Sequence, residues 1–158
     1  MKILYVVHQF FPTHHTGTER LTLQMAKQIQ RMGHYVHVLT YEPNELNGSD
    51  FEVHNNDYLK TEHMVETIPV TCFKKRKNSI GWDYVFDPTI ESLLDDFVQK
   101  FDLVHFMHPQ RFASVLHLCK KYGIPTVLTL TEIGYYVLLD FLMLIKNYVT
   151  DQMKVKNV

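Results

Sequence analysis

Three short stretches of this chain carry side chains that could do chemistry if the fold brought them together. The first is the loop from His8 to Gly17, which holds His14, His15, Thr16 and Gly17 and runs on into Thr18 and Glu19. The second is the pair His105 and His108, and the third is Thr131-Glu132. A glycine at the start of a helix lets an anion approach the first free N–H groups, where the helix dipole is positive. Thr16, Gly17 and Thr18 are therefore candidates for holding a phosphate group, the other reading being a plain turn and helix cap. His14, His15, His105, Thr131 and Glu132 are candidates for binding the hydroxyls or phosphate of a substrate. His108 is the candidate catalytic group, able to give or take a proton near neutral pH. Imidazoles also suit zinc, but no His-Glu-x-x-His motif is present and no carboxylate or thiolate joins them at ligand spacing. No metal site is expected.

Other residues admit two readings. Lys74-Lys75-Arg76-Lys77 could meet an acidic lipid surface or a phosphorylated acceptor, or be a solvated strand end. Trp82 and Tyr84 could stack on a sugar ring or cover the core.

The elements that must position these residues are legible from periodicity. Ile3 to Val7 is a short apolar strand, and the helix after the His/Gly loop ends near Gly33. Thr16 and Glu19 have capping-box spacing, Gly33 suits the left-handed position beyond the last turn, and Leu21, Met25, Ile29 and Met32 mark an apolar face. Tyr35 to Thr40 is the next strand. Pro43 to Asp50 reads as a loop, Phe51 to His54 as a short strand, and Val65 to Phe73 as a strand entered through Pro69. Asp87-Pro88 is an N-cap with proline at the first helical position. Ile90, Leu93, Leu94, Phe97, Val98 and Phe101 follow at helical spacing. Asp102 to Phe106 is a buried-type strand. Pro109 opens a helix with the face Phe112, Val115, Leu116, Cys119 and Tyr122, closed by Gly123. Pro125 to Leu130 is a last strand.

Strands alternating with helices of this length predict an α/β fold, a Rossmann-like three-layer αβα sandwich with a mainly parallel sheet. The loops after the strands then share one rim, and that rim holds the ligand. Composition adds bounds. The 158 residues suit one domain, and 16 Lys and Arg against 17 Asp and Glu give no field that would draw nucleic acid. Two cysteines allow at most one disulfide, and the N-terminus has no signal-peptide pattern, so a cytoplasmic location is expected.

These motifs, in this order, resemble the N-terminal, acceptor-side domain of family 4 glycosyltransferases with the GT-B fold. The residues that carry the likeness are Lys2 to Val7, Phe10-Phe11-Pro12, Gly17-Thr18-Glu19, Gly33-His34 with Val36 to Thr40, Asp102-Leu103-Val104-His105, and Gly123 to Leu130. The likeness covers roughly residues 1 to 132. It implies one half of a GT-B fold and transfer of a sugar from a nucleotide-sugar donor to an acceptor with retention. The nucleotide-sugar is a substrate, and no cofactor is implied. The first loop would meet the donor diphosphate, while the nucleotide belongs to a second domain.

Four positions depart from the family pattern. Thr16 replaces the first of two glycines, Met107 replaces a histidine, and Thr131-Glu132 stands where His-Asp is common. From residue 133 the sequence turns into the apolar stretch Gly134 to Ile145 and a polar tail, giving an expected boundary between 1–132 and 133–158. No second Rossmann unit follows within these residues. Three readings stay open: an acceptor-domain fragment inactive alone, a non-catalytic module binding sugar, phosphate or a membrane surface, and the acceptor half of a split transferase. The implied partners are a sugar or lipid-linked acceptor, a nucleotide-sugar only together with a donor domain, and peripheral contact with the inner membrane face.

Overall fold

In the computed structural model, the described residues are 1–42, 52–53, 57–76, 87–108 and 113–131. The elements in chain order are β1 (Lys2–Val6), α1 (Gly17–Arg31), β2 (Tyr35–Tyr41), β3 (Glu52–Val53), β4 (Tyr58–Val65), β5 (Ile68–Lys75), α2 (Pro88–Val98), β6 (Leu103–Phe106), α3 (Ala113–Tyr122) and β7 (Thr126–Leu128). One seven-stranded sheet has the order β3-β4-β5-β2-β1-β6-β7. Five adjacent strands, from β5 to β7, are parallel. β4 runs against β5 and β3.

β1 is central because its residues suit burial on both faces, as expected for a middle strand of a parallel sheet. Leu4 and Val6 join a core with Ile90, Leu94 and Val98 of α2 and Val115, Leu118 and Cys119 of α3. Ile3, Tyr5 and Val7 face the other way, with Leu23 and Ala26 of α1, Val38 and Val70. The result is the α/β Rossmann-like sandwich that the alternation of elements predicts, with α1 on one face and α2 and α3 on the other.

Several local signals act as the residue types require. The Asp87 carboxylate accepts from the N–H groups of Thr89 and Ile90 at 2.9 and 3.3 Å, and Pro88 fills the first turn. Gly33 and Gly123 adopt φ of 88° and 65° after α1 and α3, a region that side chains disfavour. Cys119 lies in the core, where burial pushes its thiol up to about 12. Both cysteines are free.

The face of α1 matches its expected one only in part, for Met25 and Ile29 pack against the core but the other two residues do not. Leu21 is 42% exposed and Met32 63% exposed, while Thr18, Glu19, Thr22, Leu23 and Ala26 are buried. The sheet beneath is bulky (Ile3, Tyr5, Val38 and Val70), so small side chains give the helix its closest approach. The buried Thr22 hydroxyl is satisfied by the carbonyl of Thr18 at 2.7 Å. A second difference is β4, absent from the pattern because Lys60, Glu62 and His63 break its apolar run. It pairs along its whole length with β5 through a tight turn in which Glu66 takes φ of 53° and pairs with Lys27. The strand expected to begin at Val65 starts at Ile68 instead. In α3, Leu118 is fully buried, a position the expected face omits.

Of the basic run, Lys75 closes β5 with its ammonium 3.9 Å from Asp87 and 5.9 Å above the Tyr58 ring. Lys77, Trp82, Tyr84, Pro109, Phe112, the loop at 43–50 and the segment beyond residue 131 lie outside the described residues. Among the described residues, no helix is long and apolar enough to cross a membrane.

Asp87 joins three contacts, since its carboxylate also accepts the Tyr58 hydroxyl and its backbone N–H donates to Ser114. Asp87→Ala is expected to lower stability by about 1–2 kcal/mol, the range for a lost N-cap, in urea unfolding at pH 7.

Candidate functional site

The site forms where β1 and β6 end. Beyond β1, the Val7 N–H still donates to Leu39 at 3.1 Å, and beyond β6 the Met107 N–H donates to Val6 at 2.8 Å. The second bond holds the exits of β1 and β6 side by side, and the next residue on each side is histidine. The rings of His8 and His108 lie 4.3 Å apart, tilted by 49°, and both residues are buried.

The start of α1 meets this pair through Glu19. Its side chain is wholly buried, with one carboxylate oxygen 3.7 Å from His8 Nε2. The other oxygen accepts the Thr16 hydroxyl at 2.5 Å. Burial alone would raise the carboxyl, but hydrogen bonds from Thr16, its own backbone N–H and Gln9, with the nearby His8, outweigh it. Glu19 therefore titrates below the ordinary carboxylate range and is ionised at neutral pH. Thr16 is the N-cap residue, as its spacing predicts, but its hydroxyl makes no bond to a helix N–H. The capping box is rearranged because the buried carboxylate takes the hydroxyl for itself.

Gly17 is the first residue of α1 and is exposed. A β-carbon added there would have no atom within 4 Å, so the chain itself does not crowd this turn. Gly17 thus opens the start of α1 to solvent at the strand rim. Thr18, beside Gly17, is buried.

The remaining expected residues take different places. His14 bonds Glu42 through Nε2 at 3.2 Å, which links the loop to the residue after β2. His15 is exposed, its ring 6.2 Å from that of Phe11 and its carbonyl accepting from Arg20. Thr131 reaches the rim, where its hydroxyl donates to the Met107 carbonyl at 3.2 Å. His105 sits inside β6, below the rim. Its ring stacks on Tyr5 at 4.9 Å and its Nε2 meets the Thr129 hydroxyl at 2.7 Å. Burial lowers its pKa, so it is neutral at pH 7. Glu132 lies outside the described residues.

Glu42 is a functional candidate that sequence reasoning missed. Its signal was available, for it follows directly on a strand next to β1 and so must face the rim. Met107, in place of the family histidine, is fully buried against the α1-side core. Among the described residues, no three His, Cys, Asp or Glu side chains gather in a metal-holding arrangement.

A mainly parallel sheet with helices on both faces and polar groups at its carboxyl rim defines a Rossmann-like domain. The chain matches the Glycosyltransferase Family 4 domain over residues 15–149, and it belongs to that family. The match runs past residue 132, the end expected for the likeness. No curated protein matches the chain.

The lowered Glu19 carboxyl sets a direction for acid stability. A group whose folded pKa lies below its unfolded value stabilises the fold above the unfolded value, about 4.3. That contribution is lost as pH falls through the lower folded value. Glu19→Gln is expected to reduce stability at pH 7 by about 1–2 kcal/mol. The gap between wild type and variant should close as pH drops below about 4, as thermal melts across the acid range would show. A constant gap would mean that the ionised carboxylate adds nothing.

Proposed function

We propose that this chain is the acceptor-side domain of a retaining transferase that moves a sugar from a nucleotide-sugar to a sugar or lipid-linked acceptor. The observation that carries the reading is the exposed, uncrowded Gly17 at the start of α1, set on the same rim as the His8–His108 pair in a family 4 domain. The helix end supplies N–H groups and a positive dipole for the donor diphosphate. As the sugar–phosphate bond breaks, negative charge builds on the leaving diphosphate, and fixed donors of this kind stabilise it without metal or cofactor.

In this division of labour, Thr16, Gly17 and Thr18 form the diphosphate loop. Glu19 keeps His8 in place, and His8 packs on His108. His108 is the residue to exchange a proton with the reacting acceptor hydroxyl. His14, held by Glu42, together with His15 and Thr131, flanks the acceptor. His105 supports the rim from within β6, and Glu132 belongs to the same set by sequence. The nucleotide itself is held by a second Rossmann-like domain in the GT-B manner, and the acceptor side works at the inner face of the membrane.

Gly17→Asp tests the loop. A carboxylate at the first turn of a helix favours the dipole, so the fold should keep its stability or gain about 0.3–1 kcal/mol. Pyrophosphate binding, measured by calorimetry on the whole chain, should fall at least tenfold (about 1.4 kcal/mol). Equal pyrophosphate affinity in both proteins would remove the loop from the donor site. The same reading expects the purified chain alone to release no sugar from uridine or guanosine diphosphate sugars. Turnover by the chain alone, followed by nucleotide release, would overturn the two-domain division.

A further inference from the structure

A cavity of about 520 Å³ lies on the α2 face of the sheet, between α2 and the β4–β5 hairpin. It begins at Lys2 and Tyr35, the first residues of β1 and β2, whereas His8 follows the end of β1. At about 3.3 Å per strand residue, Lys2 and His8 are roughly 20 Å apart. The cavity therefore opens away from the His8–His108 pair, and it runs along the α2 face of the sheet as far as Phe73 of β5. It exists because α2 covers β1 and β2 but leaves the outer part of this face open, where Glu62 and Met64 of β4 are exposed.

The lining combines apolar rings with polar groups of both signs. Phe97 of α2 and Phe101, just beyond its end, form one wall, and the Tyr35 ring stacks near Phe101 with centroids 6.4 Å apart. His37 and Thr71 form the floor, bonded to each other at 2.8 Å. His37 also meets the Tyr35 hydroxyl at 3.2 Å, so its two ring nitrogens are engaged. Burial drives its pKa down to about 4, and the floor is uncharged at neutral pH.

Around the mouth the charges alternate. Lys2 and Lys100 are cationic and exposed, Asp96 is anionic and exposed, and Lys60 pairs with Glu62 at 2.5 Å. A site for phosphate or another strong anion would gather cations of one sign. Here ammonium donors alternate with carboxylate acceptors over ring faces. That pattern suits neighbouring hydroxyls, each of which donates and accepts, on a ring whose C–H face packs against aromatic carbons.

We propose that the cavity between α2 and the β4–β5 hairpin is a second carbohydrate site, which takes a neutral sugar unit away from the reaction rim. The sugar lies with its C–H face on Tyr35, Phe97 and Phe101, and its hydroxyls meet the charged mouth. The volume falls within the range of small-molecule pockets, about 300–1,000 Å³. The site is independent of the donor loop, and it would hold a saccharide already made or about to be extended while the rim is occupied.

The test uses the whole purified chain at pH 7 with methyl β-glucoside and methyl β-galactoside as probes and inorganic phosphate as the competing class. His37 remains neutral there, so its ring proton signals report cavity contacts rather than titration. One of the glycosides is expected to shift the His37 signals in a saturable way, leaving those of His8 and His108 in place. Tyr35→Ala removes a half-exposed ring at little cost to the fold and should weaken that binding about fivefold. Lys100→Ala provides a second, surface variant and should also weaken it.

Three results would overturn the second site. One is no His37 shift with either glycoside up to about 50 mM, a weak-binding ceiling. Another is a shift with phosphate but not with the glycosides. The third is glycoside shifts confined to His8 and His108, which would leave the rim reading standing without this cavity.

Discussion

Everything at the rim depends on β1 being saturated on all four sides. Its backbone pairs in parallel with β2 on one edge and β6 on the other. Its side chains fill two separate cores, Leu4 and Val6 toward α2 and α3, and Ile3 and Tyr5 toward α1. A strand fixed in this way has no freedom of register, because a one-residue slip would exchange its two faces. The positions of His8 and His108 follow directly, since each is the second residue past the end of a paired strand. The geometry of the two imidazoles is thus set by backbone hydrogen bonds rather than by the loops that carry them.

Electrostatics then shape what that geometry can do. A buried carboxylate is costly unless it is hydrogen-bonded and close to positive charge. Glu19 meets both conditions at the positive end of α1, with Thr16, Gln9 and His8 around it. The helix start, the loop and the strand exit become one unit. His14 and Glu42 repeat the arrangement one strand over, tying the same loop to the end of β2.

The sequence was most readable where one physical demand ruled each residue. Both faces of β1 needed apolar residues, Asp87 needed to cap, and Gly33 and Gly123 needed positive φ. The α/β alternation could be inferred from such local facts, and the adjacency of β1 and β6 from the usual strand order of doubly wound sheets. What stayed hidden depended on tertiary partners. β4 looks polar because helices leave much of it uncovered, and α1 turns its small residues inward because the sheet below it is bulky. At the site, Gly17 and His108 could be assigned to the rim from strand ends alone. Sequence spacing could not reveal that Glu19 would take the Thr16 hydroxyl, or that His105 would turn to Tyr5 and Thr129 within its strand. Glu42 carries no motif of its own, and only its place directly after β2, beside β1, marks it for the rim.

The β1–β6 pairing also bears on how the molecule is assembled. Lys2 and Asp102, joined by a 2.7 Å hydrogen bond, are 100 residues apart in the chain. The β4–β5 hairpin closes over a two-residue turn and can form from local contacts alone. Long-range pairs carry a larger loop-closure cost and form after local ones have shortened the effective chain. During synthesis, β1 emerges first and must wait for β6 before its second edge is covered. The two histidines therefore meet only after the chain between them has been closed into a loop of about a hundred residues.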